Sequence, residues 1–217
     1  MKNKKDIKIA IDSPAAAGAG TQAKLISKEY NLFYLDTGKI YRFVANIKIK
    51  KPKKYSLKYI KNKMKNFSIK NLESKELLSD EVGTMASIIS KDARIRKLVH
   101  LFQIKCAYHY PKKYSGSCLD GRDITYKIMP DADIKFFITA NTKTRALRRY
   151  KELKTLNKKI SFNEVLKSIK NRDKSDYNRK LSPLKKTRDS ILINTTNKSK
   201  RSCFLKIKKI IDIKINN

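Results

Sequence analysis

Short apolar runs alternate with longer amphipathic stretches along this chain. Lys8 to Asp12 reads as a buried strand, and Gln22 to Tyr30 as a helix with Ala23, Leu25 and Ile26 among polar neighbours. Leu32 to Leu35 is a second apolar run, and a helix through Tyr41 and Val44 follows until Pro52 breaks it. Ser56 to Phe67 reads as a helix and Phe67 to Leu72 as a strand. Helices are predicted from Val82 to before Lys91 and from Ala93 to Tyr108. Ser117 to Asp120 and Asp133 to Thr139 read as strands. The second contains Ile134, Phe136, Phe137 and Ile138, a near-continuous apolar run suited to a sheet covered on both faces. Lys143 to Leu156 and Ser161 to Arg172 form two helices joined by a polar turn around Asn157. Ser190 to Ile193 is the last strand, and Arg201 to Ile213 the closing helix. Strands alternating with helices predict an α/β fold whose mostly parallel sheet is flanked by helices.

The chain of 217 residues suffices for one sizeable core, and its hydrophobic share of 40% excludes a disordered chain. No apolar run approaches the roughly 20 residues that span a bilayer. Met1 to Lys5 is basic but lacks the apolar stretch and cleavage site of a signal peptide, so a cytoplasmic location is expected. Cys106, Cys118 and Cys203 are odd in number and widely spaced, which argues for reduced thiols at packing positions. His100 and His109 have no nucleophile or carboxylate beside them in sequence and read as structural or surface residues. The net charge of +34 invites a polyanionic partner, and Tyr55 and Tyr59 stand among lysines as in nucleic-acid binders. The lysines are spread along the whole chain, however, and Lys, Ile and Asn are abundant where Gly numbers 6, as AT-rich coding produces. Nucleic acid is therefore the less favoured partner.

Strand, small-residue loop and helix follow one another at the N-terminus, which is the layout of a phosphate-binding loop. The loop reads Ser13, Pro14, Ala15, Ala16, Ala17, Gly18, Ala19, Gly20, Thr21. Gly18 and Gly20 let backbone N–H groups turn towards phosphate oxygens. A working loop places lysine after the closing glycine, whereas here Gly18 is followed by Ala19, and Ser13 stands at the opening glycine. Taken alone, this segment is a plain turn of small residues.

Other motifs change that reading. Leu35-Asp36-Thr37-Gly38 followed by Ile40-Tyr41-Arg42 resembles the LDTGxxYR segment of bacterial cytidylate kinases. Leu119-Asp120-Gly121-Arg122-Asp123, Pro130-Asp131-Ala132, the basic stretch from Arg145 to Leu153, and Lys170 to Arg179 followed by Ser182-Pro183-Leu184 are similar to further segments of that family, in the same order. The resemblance runs from about Ile7 to the end and is weakest over residues 46–81.

The resemblance implies a P-loop NTPase-type α/β fold in one kinase domain, 1–217, with a core of about 6–47 and 110–217. It further implies an acceptor-binding insert at about 48–109 and a helical lid at about 143–162. Implied with it are phosphoryl transfer from ATP to CMP or dCMP, magnesium as cofactor, and small nucleotides as partners; the oligomeric state is not readable from the chain, and a monomer is the working expectation. By the same resemblance, residues 13–21 would bind ATP. Thr37 and Arg42, Arg122 and Arg179 would hold the acceptor phosphate; Ser87, Arg96 and Asp123 would read the cytosine; Arg172 and Asp176 would contact the ribose. Arg122, Arg179, Arg148 and Arg149 would act on the transferring group, the last two from a lid that also carries Arg145 and Lys151. Asp36 and Asp120 either orient magnesium-bound water or serve as caps and loop hydrogen-bond acceptors. The missing lysine leaves three expectations open: a slow enzyme, a substitute cation from Lys39 or a lid arginine (Lys24 lies a helical turn deeper and is expected to point away), or binding without turnover. One sequence does not rank CMP, dCMP and UMP.

Overall fold

The computed structural model describes residues 6–155 and 159–216. Five parallel strands form one sheet in the order β2-β3-β1-β4-β5, with β1 Ile7–Asp12, β2 Phe33–Asp36, β3 Gly116–Gly121, β4 Ile134–Thr139 and β5 Ile191–Asn194. The helices are α1 Ala19–Glu29, α2 Thr37–Lys50, α3 Leu57–Lys65, α4 Asp80–Ile89, α5 Ala93–Tyr108, α6 Thr142–Thr155, α7 Phe162–Asn178 and α8 Lys200–Asn216. Among the described residues no helix is long and apolar enough to cross a membrane.

The period-two alternation of the strands divides the core. Ile9, Ile11, Cys118, Phe136 and Ile193 pack with Ala23 and Ile26 of α1 and Cys203 and Ile207 of α8. Ala10 and Leu119 point the other way, into a cluster with Ile40 and Val44 of α2, Val82 and Ala86 of α4 and Val99 of α5. A third cluster joins α6 and α7 through Ala146, Leu153, Val165 and Ile169, and reaches Ala15 of the N-terminal loop. The three cysteines are buried and unpaired, as their spacing led us to expect.

Side-chain caps set several helix starts: Ser56 for α3, Ser79 for α4, Asp92 for α5, and a Ser161–Glu164 capping box for α7. Several elements differ from the sequence reading. The expected strand from Phe67 to Leu72 is instead a tight turn of helix, Ile69–Leu72, begun by a capping box between Ser68 and Asn71. Phe67 is buried there because it stacks against Phe43 and Phe102, each at 4.8 Å, and not because it pairs in a sheet. Helix α1 begins at Ala19, before Gln22. Helix α7 continues past Arg172 to Asn178, since no breaker intervenes and Asp173 is clamped by Arg145. A π-helical turn, Ile124–Ile128, follows β3 and was not anticipated. The turn expected around Asn157 lies outside the described residues.

The parallel arrangement brings Asp12, Asp36, Gly121 and Thr139 to one edge of the sheet, the carboxyl end at which α/β folds bind ligands. Phe136 is fully buried at the centre of that sheet. Phe136→Ala should lower unfolding free energy by about 3–5 kcal/mol in a denaturant titration, with the slope unchanged.

Candidate active site

Strand β1 ends at Asp12 and the chain turns through Ser13 to Gly18 before α1 begins. Gly18 takes a left-handed conformation with φ of 89°, and no side chain caps the helix behind it. The loop's carbonyls are held from outside. Ala15 O accepts from Arg145 Nη1 at 3.0 Å, and Ala17 O accepts from Thr195 Oγ1 at 3.0 Å and Arg148 Nη1 at 3.4 Å. The first N–H groups of α1 have no partner within the helix, and with the helix dipole they make an anion site. Three positions break the usual pattern: Ser13 stands at the opening glycine, Ala19, buried, where lysine is needed, and Gly20 where a hydroxyl residue would follow.

Of the substitute cations considered, Lys39 is turned away, donating to Leu72 O at 3.0 Å, and Lys24 is exposed on α1. Arg148 stands against the loop. Its Nη1 lies 3.8 Å from where a Cβ on Gly18 would be, and Thr195 fixes it through O at 2.6 Å and Oγ1 at 2.9 Å. Arg148 has no carboxylate partner among the described residues. Arg145, by contrast, is buried and forked onto Asp173, which ties α6 to α7. Arg149 is bound by Asp80, Leu78 O and Glu152, so its donors face α4 and its own helix.

Beside the loop, α2, α4, α7 and the turn after β3 enclose a cleft. All nine residues expected around the acceptor nucleotide line it, with Tyr41, Gly83 and Ser90. Arg122 Nε donates to Asp176 Oδ2 at 2.7 Å, and Arg179 Nη1 lies 3.8 Å from Asp176 Oδ1. Arg42 Nη1 donates to Leu77 O at 2.7 Å and Ser79 O at 3.0 Å. A Cβ on Gly83 would sit 2.8 Å from Arg42 Nη2, so this mid-helix glycine is what admits the guanidinium. Arg96 pairs with Asp123, donates to Ser90 O and stacks over the Tyr41 ring at 5.6 Å. Ser87 Oγ donates to Ser175 Oγ at 3.2 Å, and Thr37 Oγ1 to Asp120 O at 2.8 Å. Gly83, Ser90 and Ser175 escaped the sequence reading. Only the glycine carried a signal, as a poor helix former inside a helical pattern.

Five guanidiniums face two carboxylates in this cleft. Arg172 is the unbalanced one: its buried Nε has no hydrogen-bond partner among the described residues. Burial pushes its pKa down to about 10, with Arg42 and Arg122 adding to the effect. Burial also lowers Arg42, next to Arg149. Burial works against ionisation of Asp176 too, yet Arg122, Arg179 and Arg172 hold it below the usual carboxylate range. Such a surplus fits a doubly charged phosphate with hydrogen-bonding groups around it.

A model of the cytidylate kinase family matches residues 9–213. The chain belongs to the cytidylate kinase family. It is 37% identical to the cytidylate kinase of Mesomycoplasma hyopneumoniae strain 7448, over 97% of this chain and 96% of the relative. With that of Clostridium botulinum strain Hall it shares 42% over 88% and 91%. With that of Bartonella tribocorum it shares 39% over 90% of each. A solved structure of an uncharacterized protein from Eubacterium ventriosum superposes with a TM-score of 0.56 at 18% identity, over 95% of this chain and 98% of that one, and shows the fold alone. Membership makes the chain an enzyme of the kinase class and does not favour the nucleic-acid reading.

In this family member the two strand-end carboxylates are neighbours, Asp36 opposite Asp120 in the β2–β3 register. Asp36 caps α2 through Lys39 N at 3.2 Å. Asp120 Oδ1 accepts from Tyr34 at 2.9 Å, while Oδ2 faces Gly20 of the loop. Burial, reinforced by Asp36, pushes Asp120 up to about 8. At Asp120 the folded state therefore keeps a proton that the unfolded chain releases near pH 4, and this carboxyl's own contribution to stability declines as pH rises from about 4 to about 8. Asp120→Asn should flatten that decline in nucleotide-free, magnesium-free protein, read as melting temperature at pH 5, 7 and 9. A slope equal to the wild type's would contradict it.

Proposed function

We propose that the protein transfers the γ-phosphoryl group of ATP to CMP or dCMP, giving ADP and CDP or dCDP, as a cytoplasmic monomer. The observation that carries this reading is the arginine cleft, in which the buried Arg172 Nε has no hydrogen-bond partner among the described residues, together with the uncapped N-terminus of α1. Residues 13–21 would embrace the donor phosphates through backbone N–H groups, with Arg148 at their flank. Arg42, Arg122 and Arg179, with Thr37 beside them, would hold the acceptor phosphate. Ser87, Arg96 and Asp123 would meet the polar edge of cytosine, and Arg172 and Asp176 the ribose.

Phosphoryl transfer has a loose transition state with charge spread over the equatorial oxygens, so positioning and charge neutralisation supply most of the catalysis. The acceptor oxygen attacks in line, and the converging guanidiniums offset charge on both phosphates. Asp120 and Asp36 offer the hard oxygens that suit magnesium held by one or two carboxylates and the substrate phosphates. The ion, when bound, would neutralise donor charge. The segment 48–109 would act as the acceptor-binding insert and 143–162 as the lid, excluding water that would otherwise take the phosphoryl group. Arg149, now on Asp80, links those two segments.

Steady-state assays with ATP and each nucleoside monophosphate should show turnover with CMP and dCMP above the others. Bound CMP without turnover would leave only a nucleotide-binding role. Loss of one preorganised donor typically costs about 10²–10³-fold in rate, so Ala19→Lys should raise kcat towards that range. An unchanged rate would assign the lysine's work to Arg148. Arg172→Leu should abolish CMP binding yet stabilise the fold by about 1–3 kcal/mol, because it removes a buried charge that Asp176 only partly offsets. The folded pKa of Arg172 lies below the unfolded one, so its cost is fully present below pH 10. The gain in melting temperature should accordingly be the same at pH 6 and pH 8.

A further inference from the structure

Asp12 has no exposed surface, and no cation pairs with it among the described residues. Its carboxylate instead accepts three hydrogen bonds from one turn. Ile124 N–H donates to Oδ1 at 2.8 Å, and Thr125 gives Oδ2 both its N–H at 3.0 Å and its hydroxyl at 2.6 Å. On the other side of that turn, Ser13 N–H donates to Gly121 O at 3.1 Å. Two consecutive residues, Asp12 and Ser13, thus grip both ends of a segment whose middle is Arg122 and Asp123.

Those two side chains diverge from the gripped backbone to opposite partners. Arg122 goes to Asp176 on α7, and Asp123 to Arg96 on α5. The same strand end that holds the turn continues into the phosphate loop. Burial pushes the Asp12 carboxyl up to about 6 against the lowering by its bonds to Thr125, so it is ionised at neutral pH and accepts at both oxygens. Asparagine cannot replace it in kind. It offers one acceptor oxygen and would aim an NH₂ donor at a neighbouring N–H. A buried, unpaired carboxylate is costly, and a fold that needed only packing here would use an apolar side chain.

We propose that Asp12 is a positioning residue for the acceptor: by clamping Ile124 and Thr125 it fixes the angle at which Arg122 and Asp123 meet the nucleotide. The proposal rests on CMP being the acceptor, as argued above. It makes a distinction that general loosening of the fold would not, since α1 and the loop N–H groups that would bind ATP are not held by Asp12.

The test is calorimetric titration of wild type, Asp12→Asn and Thr125→Val with CMP and separately with ATP. Loss of a hydrogen bond to a charged acceptor should weaken CMP binding about tenfold in Asp12→Asn and about threefold in Thr125→Val, with ATP within about twofold of wild type. Should Asp12→Asn fail to fold, Thr125→Val decides alone, because it removes one donor without changing shape. CMP affinity unchanged in the variants, or CMP and ATP weakened in equal proportion, overturns the proposal. Wild-type protein that binds no CMP overturns the acceptor assignment as well, so the two failures are told apart by the wild type.

Discussion

Guanidinium groups of like charge share one cleft at the carboxyl edge of the sheet, and their mutual repulsion is the constraint around which the neighbouring chain is arranged. Each is restrained by a different device. Arg122 leans on Asp176, Arg96 on Asp123, Arg42 on the carbonyls of Leu77 and Ser79, and Arg179 on Ser182 O. Arg172 alone is left with an unpartnered buried nitrogen. Such a group costs the fold stability, because burial and the neighbouring Arg42 and Arg122 outweigh the help it receives from Asp176. An arriving nucleotide offers Arg172 ribose oxygens as acceptors and places its phosphate among the neighbouring guanidiniums, so part of the energy withheld from folding reappears as affinity.

The donor side has the opposite character. Its loop is built almost wholly from alanine and glycine and presents backbone rather than charge. With Ala19 in place of lysine, electrostatic help must come from outside the loop, and Arg148 is already lodged against Ala17 and Gly18. The donor loop itself carries no cation, and the charges near it, Arg148, Arg149, Lys198 and Lys200, come from the flanking helices and the turn before α8. Asp12 lies at the seam, on the strand end that continues into one half and grips the other.

Much of this was legible in the chain itself. Alternating apolar runs gave the α/β class because burial on two sheet faces imposes both the period and the composition of the strands. Most acceptor residues were legible because they sit in short motifs of distinctive polar residues, whereas Ser87 and Arg96 lie outside those motifs and came only from the family resemblance; all of them meet in one cleft. Phe67 to Leu72 misled because two buried apolar residues flanking polar ones look alike whether the anchor is a sheet or the aromatic stack on Phe43 and Phe102. The length of α7 was missed because its second half is polar, and its helicity depends on Asp173 meeting Arg145 from a different helix.

Local pattern therefore determined which segments are strands and helices and which residues carry chemistry, since periodicity and motif are properties of neighbours in sequence. Tertiary structure alone decided which arginine goes without a partner, that Lys39 turns from the phosphate loop while Arg148 approaches it, and that Asp12 reaches across to Ile124 and Thr125. Those outcomes depend on groups far apart in the chain competing for the same few hydrogen-bonding positions in space, a competition that no stretch of sequence encodes by itself.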